Sequence, residues 1–296
     1  MIKSINEYLQ QLKRELDGCD PATIQDALSD AEEHLRSASN SALEGRPETS
    51  ETDVLSSIIE KYGMPDEIAA SYREIEARVL PALARTRQQD KQSFIRRFFG
   101  VFIDPRAWGS LLYLFFAMIT GILYFYWAVT GLALSLGLII LIIGLPFTGL
   151  FLLSVRGIAL VEGRIVEALL GVRMPRRPLF SDDNVGWWQR FKSLVIEKHT
   201  WLIIVYMVLQ FILGTIYFCV FITLIAVALW GIASPILELG FDIPLTDING
   251  VAYFMPVWLM PSAMIAGVLL IVGTMHLAKV VGQKHGELAK ALLVRD

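Results

Sequence analysis

The sequence predicts an all-α chain: a small cytosolic helical domain followed by a four-helix transmembrane domain. Three observations predict it. No charged residue occurs from Ala107 to Val155, a run of 49, and further uncharged runs extend from Trp201 to Leu237 and from Ile248 to Ala278. A membrane-crossing helix needs about 20 apolar residues, so the first run holds two crossings and the others one each. Ahead of them, residues 1–80 carry 8 Lys and Arg against 17 Asp and Glu, a net charge of −9, with apolar residues at helical spacing.

The N-terminal elements follow in order. Ile5, Tyr8, Leu9, Leu12 and Leu16 make the apolar stripe of a helix over 2–17, which Asp17-Gly18 ends. Asp20-Pro21 starts the next, a carboxylate to cap free N–H groups and a proline at the first helical position. Its buried stripe is Ile24, Ala27, Leu28, Ala31, Leu35 and Ala38, and Gly45-Arg46-Pro47 breaks it. A third helix buries Val54, Leu55, Ile58, Ile59 and Tyr62, and Gly63 stops it. Pro65 opens a fourth with Ile68, Ala69, Tyr72 and Ile75 on one side. The first residues alternate charge with apolar side chains and hold no signal-peptide core, so this domain, 1–80, is expected to stay on the side where it is made.

These residues resemble the HAAS domain, a small bacterial helical signalling module. The resemblance rests on Tyr8-Leu9-Gln10-Gln11-Leu12, on Glu32-Glu33-His34-Leu35, and on the closing Gly63-Met64-Pro65-Asp66-Glu67-Ile68-Ala69. It implies a cytosolic partner, since such domains are found beside PadR-like transcription regulators and fused to membrane spans. Glu32, Glu33, His34, Asp66 and Glu67 are the candidate partner surface.

Residues 81–106 form a basic linker, with six Lys and Arg against Asp90 and Asp104. It should lie on an anionic leaflet, whereas the acidic domain is repelled both by that leaflet and by nucleic acid. Direct nucleic-acid binding is therefore excluded from the expectations. Spans are expected at about 107–129 and 133–155, within a unit over 107–180. Two more are expected at about 201–226 and 256–278, within a unit over 181–296, with an acidic outer loop at 233–255. Lys and Arg lie before the first span, between the second and third, and after the fourth, and none lies between the third and fourth. The positive-inside rule then puts both termini in the cytoplasm of a bacterium, the chain being multi-pass in its inner membrane.

The membrane half reads as two parallel repeats, each of two spans and a cytoplasmic amphipathic helix. A shift of 93 residues places Asp104 on Glu197, Trp108 on Trp201, Tyr113 on Tyr206, Gly121 on Gly214, Tyr124 on Tyr217 and Phe125 on Phe218. A shift of 119 places Ala159, Val161, Gly163 and Leu169 on Ala278, Val280, Gly282 and Leu288. Residues 95–293 resemble the putative-sensor-type membrane domain of bacterial signalling proteins, including some histidine kinases. The resemblance is carried by Gly144-Leu145-Pro146, Arg156, Glu162, Arg164, Leu169-Leu170-Gly171, His276-Leu277-Ala278 and Leu288-Ala289. It implies a sensory role.

Catalytic and metal motifs are absent from the sequence. The four histidines are scattered, and no Gly-x-Ser-x-Gly, phosphate loop or His-Glu-x-x-His occurs. No carboxylate or lysine falls inside a span, which argues against proton coupling. Cys19 and Cys219 read as two unpaired thiols. Tyr113, Tyr124, Trp127, Tyr206 and Tyr217 could line a ligand pocket for a lipid or small amphiphile, or simply pack and anchor the spans. Glu238, Asp242 and Asp247 could contact a cation or cationic peptide, or form a solvated loop; their spacing is not that of a calcium loop. The expected function is non-enzymatic signalling or regulation, with an envelope or lipid cue relayed to a cytosolic partner. The alternative is a small permease or an accessory subunit of an export system. No cofactor is expected. The partners expected are membrane lipids, a PadR-like regulator or other signalling protein, and a second copy of the chain as a homodimer.

Overall fold

A computed structural model describes residues 2, 4–45, 51–83, 98–138, 144–175, 187–244, 246–249 and 251–294. The described residues are helical but for turns and one short hairpin, as the periodicity predicts. In order these are α1 (Ile5–Glu15), α2 (Pro21–Gly45), α3 (Glu51–Tyr62), α4 (Pro65–Leu83), a 3-10 turn (Gly100–Ile103), α5 (Pro105–Leu138), α6 (Gly144–Leu170), α7 (Trp187–Ile196), α8 (Lys198–Phe241), β1 (Thr246–Ile248), β2 (Val251–Tyr253) and α9 (Met260–Leu293). Most of the basic linker, including Arg96 and Arg97, and the segment 176–186 lie outside the described residues.

Contacts divide the chain into two compact units. One holds 1–88, 128–206 and 287–296, and the other 89–127 and 207–286. α5, α8 and α9 contribute residues to both units, and α6 lies wholly in the first.

In the first unit α1 to α4 close a small core of Tyr8, Leu12, Leu16, Ala27, Ala31, Leu35, Leu55, Ile59 and Ala69. Fully burying a large aliphatic or aromatic side chain contributes about 1.5–3 kcal/mol, and this is what holds such a short bundle. Asp20 caps α2 as the sequence predicts, and Ser4 caps α1. Ser4 Oγ accepts from the Glu7 amide at 3.2 Å, and Asp20 Oδ1 from the Ala22 amide at 2.9 Å. Gly63 sits at φ +118°, a conformation that L side chains rarely adopt, and its carbonyl accepts the Tyr8 hydroxyl at 2.8 Å. The buried tyrosine of the opening motif is thereby tied to the glycine of the closing one. Glu67 accepts from the Met64 amide at 3.0 Å, the reciprocal half of a capping box at the start of α4.

Four helices, α5, α6, α8 and α9, are long and apolar enough to cross a membrane. Their ends differ from the expected spans. α5 continues through 130–132, where a turn was expected, to Leu138. No proline interrupts it there, and at Gly131 a Cβ would lie 2.0 Å from the Phe151 ring of α6, so glycine serves packing and not a bend. α8 runs on through Pro235 to Phe241, taking in the start of the expected outer loop. In place of separate amphipathic helices, the segments after the second and fourth expected spans are continuous with α6 and α9. β1 and β2 pair antiparallel, Thr246 with Tyr253 and Ile248 with Val251, and Asn249 takes φ +55° in the turn between them.

In the second unit α5 and α8 meet at the two glycines that the 93-residue shift aligns. A Cβ on Gly121 would lie 2.7 Å from the Gln210 carbonyl oxygen, and one on Gly214 would lie 2.2 Å from that of Ala117. Each glycine thus admits the backbone of the facing helix, the small-residue packing that serves where lipid removes the hydrophobic drive. Gly214→Ala should therefore lower the thermal midpoint of the purified protein by about 5 °C, from an overpacking cost of about 1–3 kcal/mol. Gly137→Ala, where nothing lies within 4 Å, should leave it unchanged or raise it.

Candidate functional site

The polar groups of the first unit gather where α2 meets the chain after α6, the start of α8 and the C-terminal end of α9. Successive helical residues turn by about 100°, so Ala22, Asp26 and Ser29 lie on the side of α2 away from Ala27, Ala31 and Leu35. Both sides are buried: Ala22 is 0%, Asp26 7% and Ser29 5% exposed. Asp26 Oδ2 lies 3.6 Å from Arg173 Nη2, with both side chains more than nine-tenths buried. Arg173 Nε and Nη1 are buried and find no hydrogen-bond partner among the described residues. At the N-terminus of α2, Asp20 Oδ2 accepts from Lys290, and the Asp20 amide donates to Glu76 of α4 at 3.0 Å.

A cleft of about 40 Å³ adjoins this contact, lined by Gln25, Arg156, Gly163, Met174, His199 and Leu293 among others. Arg156 bonds Glu197 and reaches Thr200 Oγ1 at 2.9 Å, so the middle of α6 is fixed to the start of α8. Glu162, 1% exposed, accepts from the Tyr206 hydroxyl at 3.0 Å. Gly163 faces Met174, whose Cβ would be 3.4 Å from an added Cβ.

The second unit has its own polar groups. Gln210, fully buried, donates to the Tyr113 hydroxyl at 3.2 Å. The His285 ring lies 5.1 Å from the Tyr113 ring, and its Nδ1 is 3.3 Å from the Tyr217 hydroxyl. Lys279 donates to Asp104 Oδ2 at 2.7 Å, and the Arg106 amide donates to Oδ1 at 3.0 Å. Burial pushes the Asp104 carboxyl up, but these bonds and the two positive charges outweigh it and hold the group below its ordinary range.

A family model described as Putative sensor matches residues 113–293, and one described as HAAS matches 7–71. The chain belongs to the Putative sensor family. It carries a HAAS domain at its N-terminus, and both are non-enzymatic signalling domains. No curated protein and no solved structure matches the chain.

The sensor domain distributes the candidate aromatic residues. Tyr113 and Tyr217 meet on His285, whereas Tyr206 belongs to the other unit and bonds Glu162. Tyr124 is 9% exposed and Trp127 46%. Of the acidic residues near the hairpin, Glu238 turns inward, 4% exposed, and accepts the Met255 amide at 2.8 Å. Asp242 is exposed with φ +52°, and the Asp247 side chain lies outside the described residues. Among the described residues no three His, Cys, Asp or Glu could hold a metal ion. In the HAAS domain, Glu33 and Asp66 are exposed, Glu32 pairs with Arg36 at 3.0 Å, and His34 stacks on Tyr62 at 4.5 Å between ring centres. Glu67 is engaged in its cap.

Sequence reasoning missed the Asp26 and Arg173 pair and Gln210. Asp26 opposes an apolar stripe, as any solvated helix residue would, and only the small residues Ala22 and Ser29 beside it hint at a second packed face. Gln210 carried a clearer signal, an amide inside a run of 37 uncharged residues. The bond to Asp104 gives a pH test. A depressed carboxyl contributes stability above its unfolded value of about 3.9 and loses it as pH falls through the folded value. Asp104→Asn should therefore lower the midpoint at neutral pH, and the difference from the parent protein should vanish as pH falls below about 4, read by thermal denaturation across pH.

Proposed function

We propose that this protein is a membrane signalling protein of the bacterial inner membrane, with both termini cytoplasmic. Its spans respond to an envelope or lipid cue. The HAAS domain relays the response to a cytosolic partner, for which a PadR-like transcription regulator is the class that HAAS domains imply. The observation that carries this reading is the buried contact of Asp26 with Arg173. The HAAS domain is not merely tethered; it is packed against the chain that continues directly from α6, so a shift of that helix bears on α2.

Glu33, His34, Asp66 and Glu67 are the exposed members of the candidate partner surface. His34 stacks and Glu67 caps, and the charge of Glu33 and Asp66 suits a basic partner. The acidic character of residues 1–80 makes the domain itself a poor ligand for nucleic acid, so DNA is reached through the partner. Tyr113, Tyr217 and His285 bring hydrogen-bonding groups together among the spans, and a lipid cue acting there would have to displace the contacts they make with one another and with Gln210.

Affinity capture from gently solubilised membranes tests the relay. The full chain should retain a regulator-class cytosolic protein, and Glu33→Lys with Asp66→Lys should reduce its recovery by at least about tenfold, a loss of roughly 1.4 kcal/mol or more. Equal recovery with and without the substitutions would place the partner elsewhere. Recovery of no cytosolic protein across conditions would count against the relay itself.

A further inference from the structure

We infer that the outer face of α2 is a latch, an interaction surface whose resting occupant is the chain's own basic residues. The reading rests on the HAAS domain being the output element. Ala22, Asp26 and Ser29 lie opposite the HAAS core and would be solvated in an isolated bundle, yet they are 0%, 7% and 5% exposed. What covers this side is named by its contacts, Arg173 on Asp26 and the cleft residues beside Gln25, while Lys290 holds Asp20 at the N-terminus of the helix. Glu33 lies on the same side one turn further on and is exposed, so the cover ends partway along the helix.

The docked state is held by charge and is incompletely satisfied. Asp26 and Arg173 approach only to 3.6 Å, and Arg173 Nε and Nη1, both buried, find no hydrogen-bond partner among the described residues. A buried guanidinium with two unbonded nitrogens offsets much of what the pair contributes. The pair by itself therefore adds little to the docked state, so that a modest change in geometry suffices to release it. Arg173 lies three residues beyond the end of α6, and Lys290 is in the last turn of α9. Movement of either helix end separates the pairs, and release exposes the rest of the acidic face that Glu33 begins.

The full chain in lipid nanodiscs, with Cys19→Ser and Cys219→Ser, tests this through maleimide labelling of Ser29→Cys. Labelling should be slow in the resting chain. Arg173→Asp should speed it at least about tenfold, because Asp26 is then left buried beside a like charge. Adding Asp26→Arg should restore slow labelling. Ala31→Cys in the HAAS core should stay unlabelled throughout. Fast labelling of Ser29→Cys in the resting chain would overturn the latch, as would a rate that Arg173→Asp does not change. A rise that Ala31→Cys shares, or that the charge swap fails to reverse, would overturn it too. Labelling needs no cytosolic partner, so a latch that opens while capture fails sinks only the relay, and the converse sinks only the latch.

Discussion

Helix α2 is buried on two sides, and the arrangement of the first unit depends on it. One side is apolar and closes the HAAS core through Ala27, Ala31 and Leu35. The other is small and polar and meets Arg173, with Lys290 holding Asp20 at the N-terminus of the helix. An apolar second face would have fused the bundle to its support, since apolar area removed from water is hard to re-expose. A fully solvated second face would have left the domain on a tether. A polar face bearing carboxylates does neither. It holds by attraction that is offset by desolvation, and such contacts are the ones that small changes in geometry reverse.

The long helices obey a different constraint. With lipid as solvent, the close approach of α5 and α8 depends on shape, which is why Gly121 and Gly214 each face a carbonyl oxygen of the other helix. Positions 93 apart also repeat a contact at the helix starts: Trp108 donates to the Phe102 carbonyl at 2.9 Å, and Trp201 to the Val195 carbonyl at 2.8 Å. Asp104 and Glu197, aligned by the same shift, each take a cation, Lys279 and Arg156. These pairs are what duplication of a two-span unit would leave, and they support the proposal of two repeats.

How much was legible follows from the physics of each element. The helices of the HAAS domain could be read because capping and periodicity are local: Asp20, Gly63 and Pro65 act within a few residues. The four crossing helices could be read because uncharged length is a summed property. Their ends could not. Nothing in the residues near 130 distinguishes a turn from a continuing helix, and only Phe151 packing on Gly131 decides it. The site was the least legible part. Asp26, Arg173 and Lys290 are surface-type residues far apart in sequence, and burial is a property of what covers them. Conversely, Glu67 and Glu238 looked like free carboxylates and are occupied by backbone amides.

The central claim is that the HAAS domain rests on the sensor domain through α2. A high-resolution map of the full chain in a lipid nanodisc, with an antibody-fragment fiducial, tests it most directly. The account predicts ordered density for α1 to α4, with the Asp26 side chain against Arg173 and the Ala22 and Ser29 face covered. A HAAS domain averaged away from the membrane, or one ordered with that face in solvent, would contradict it.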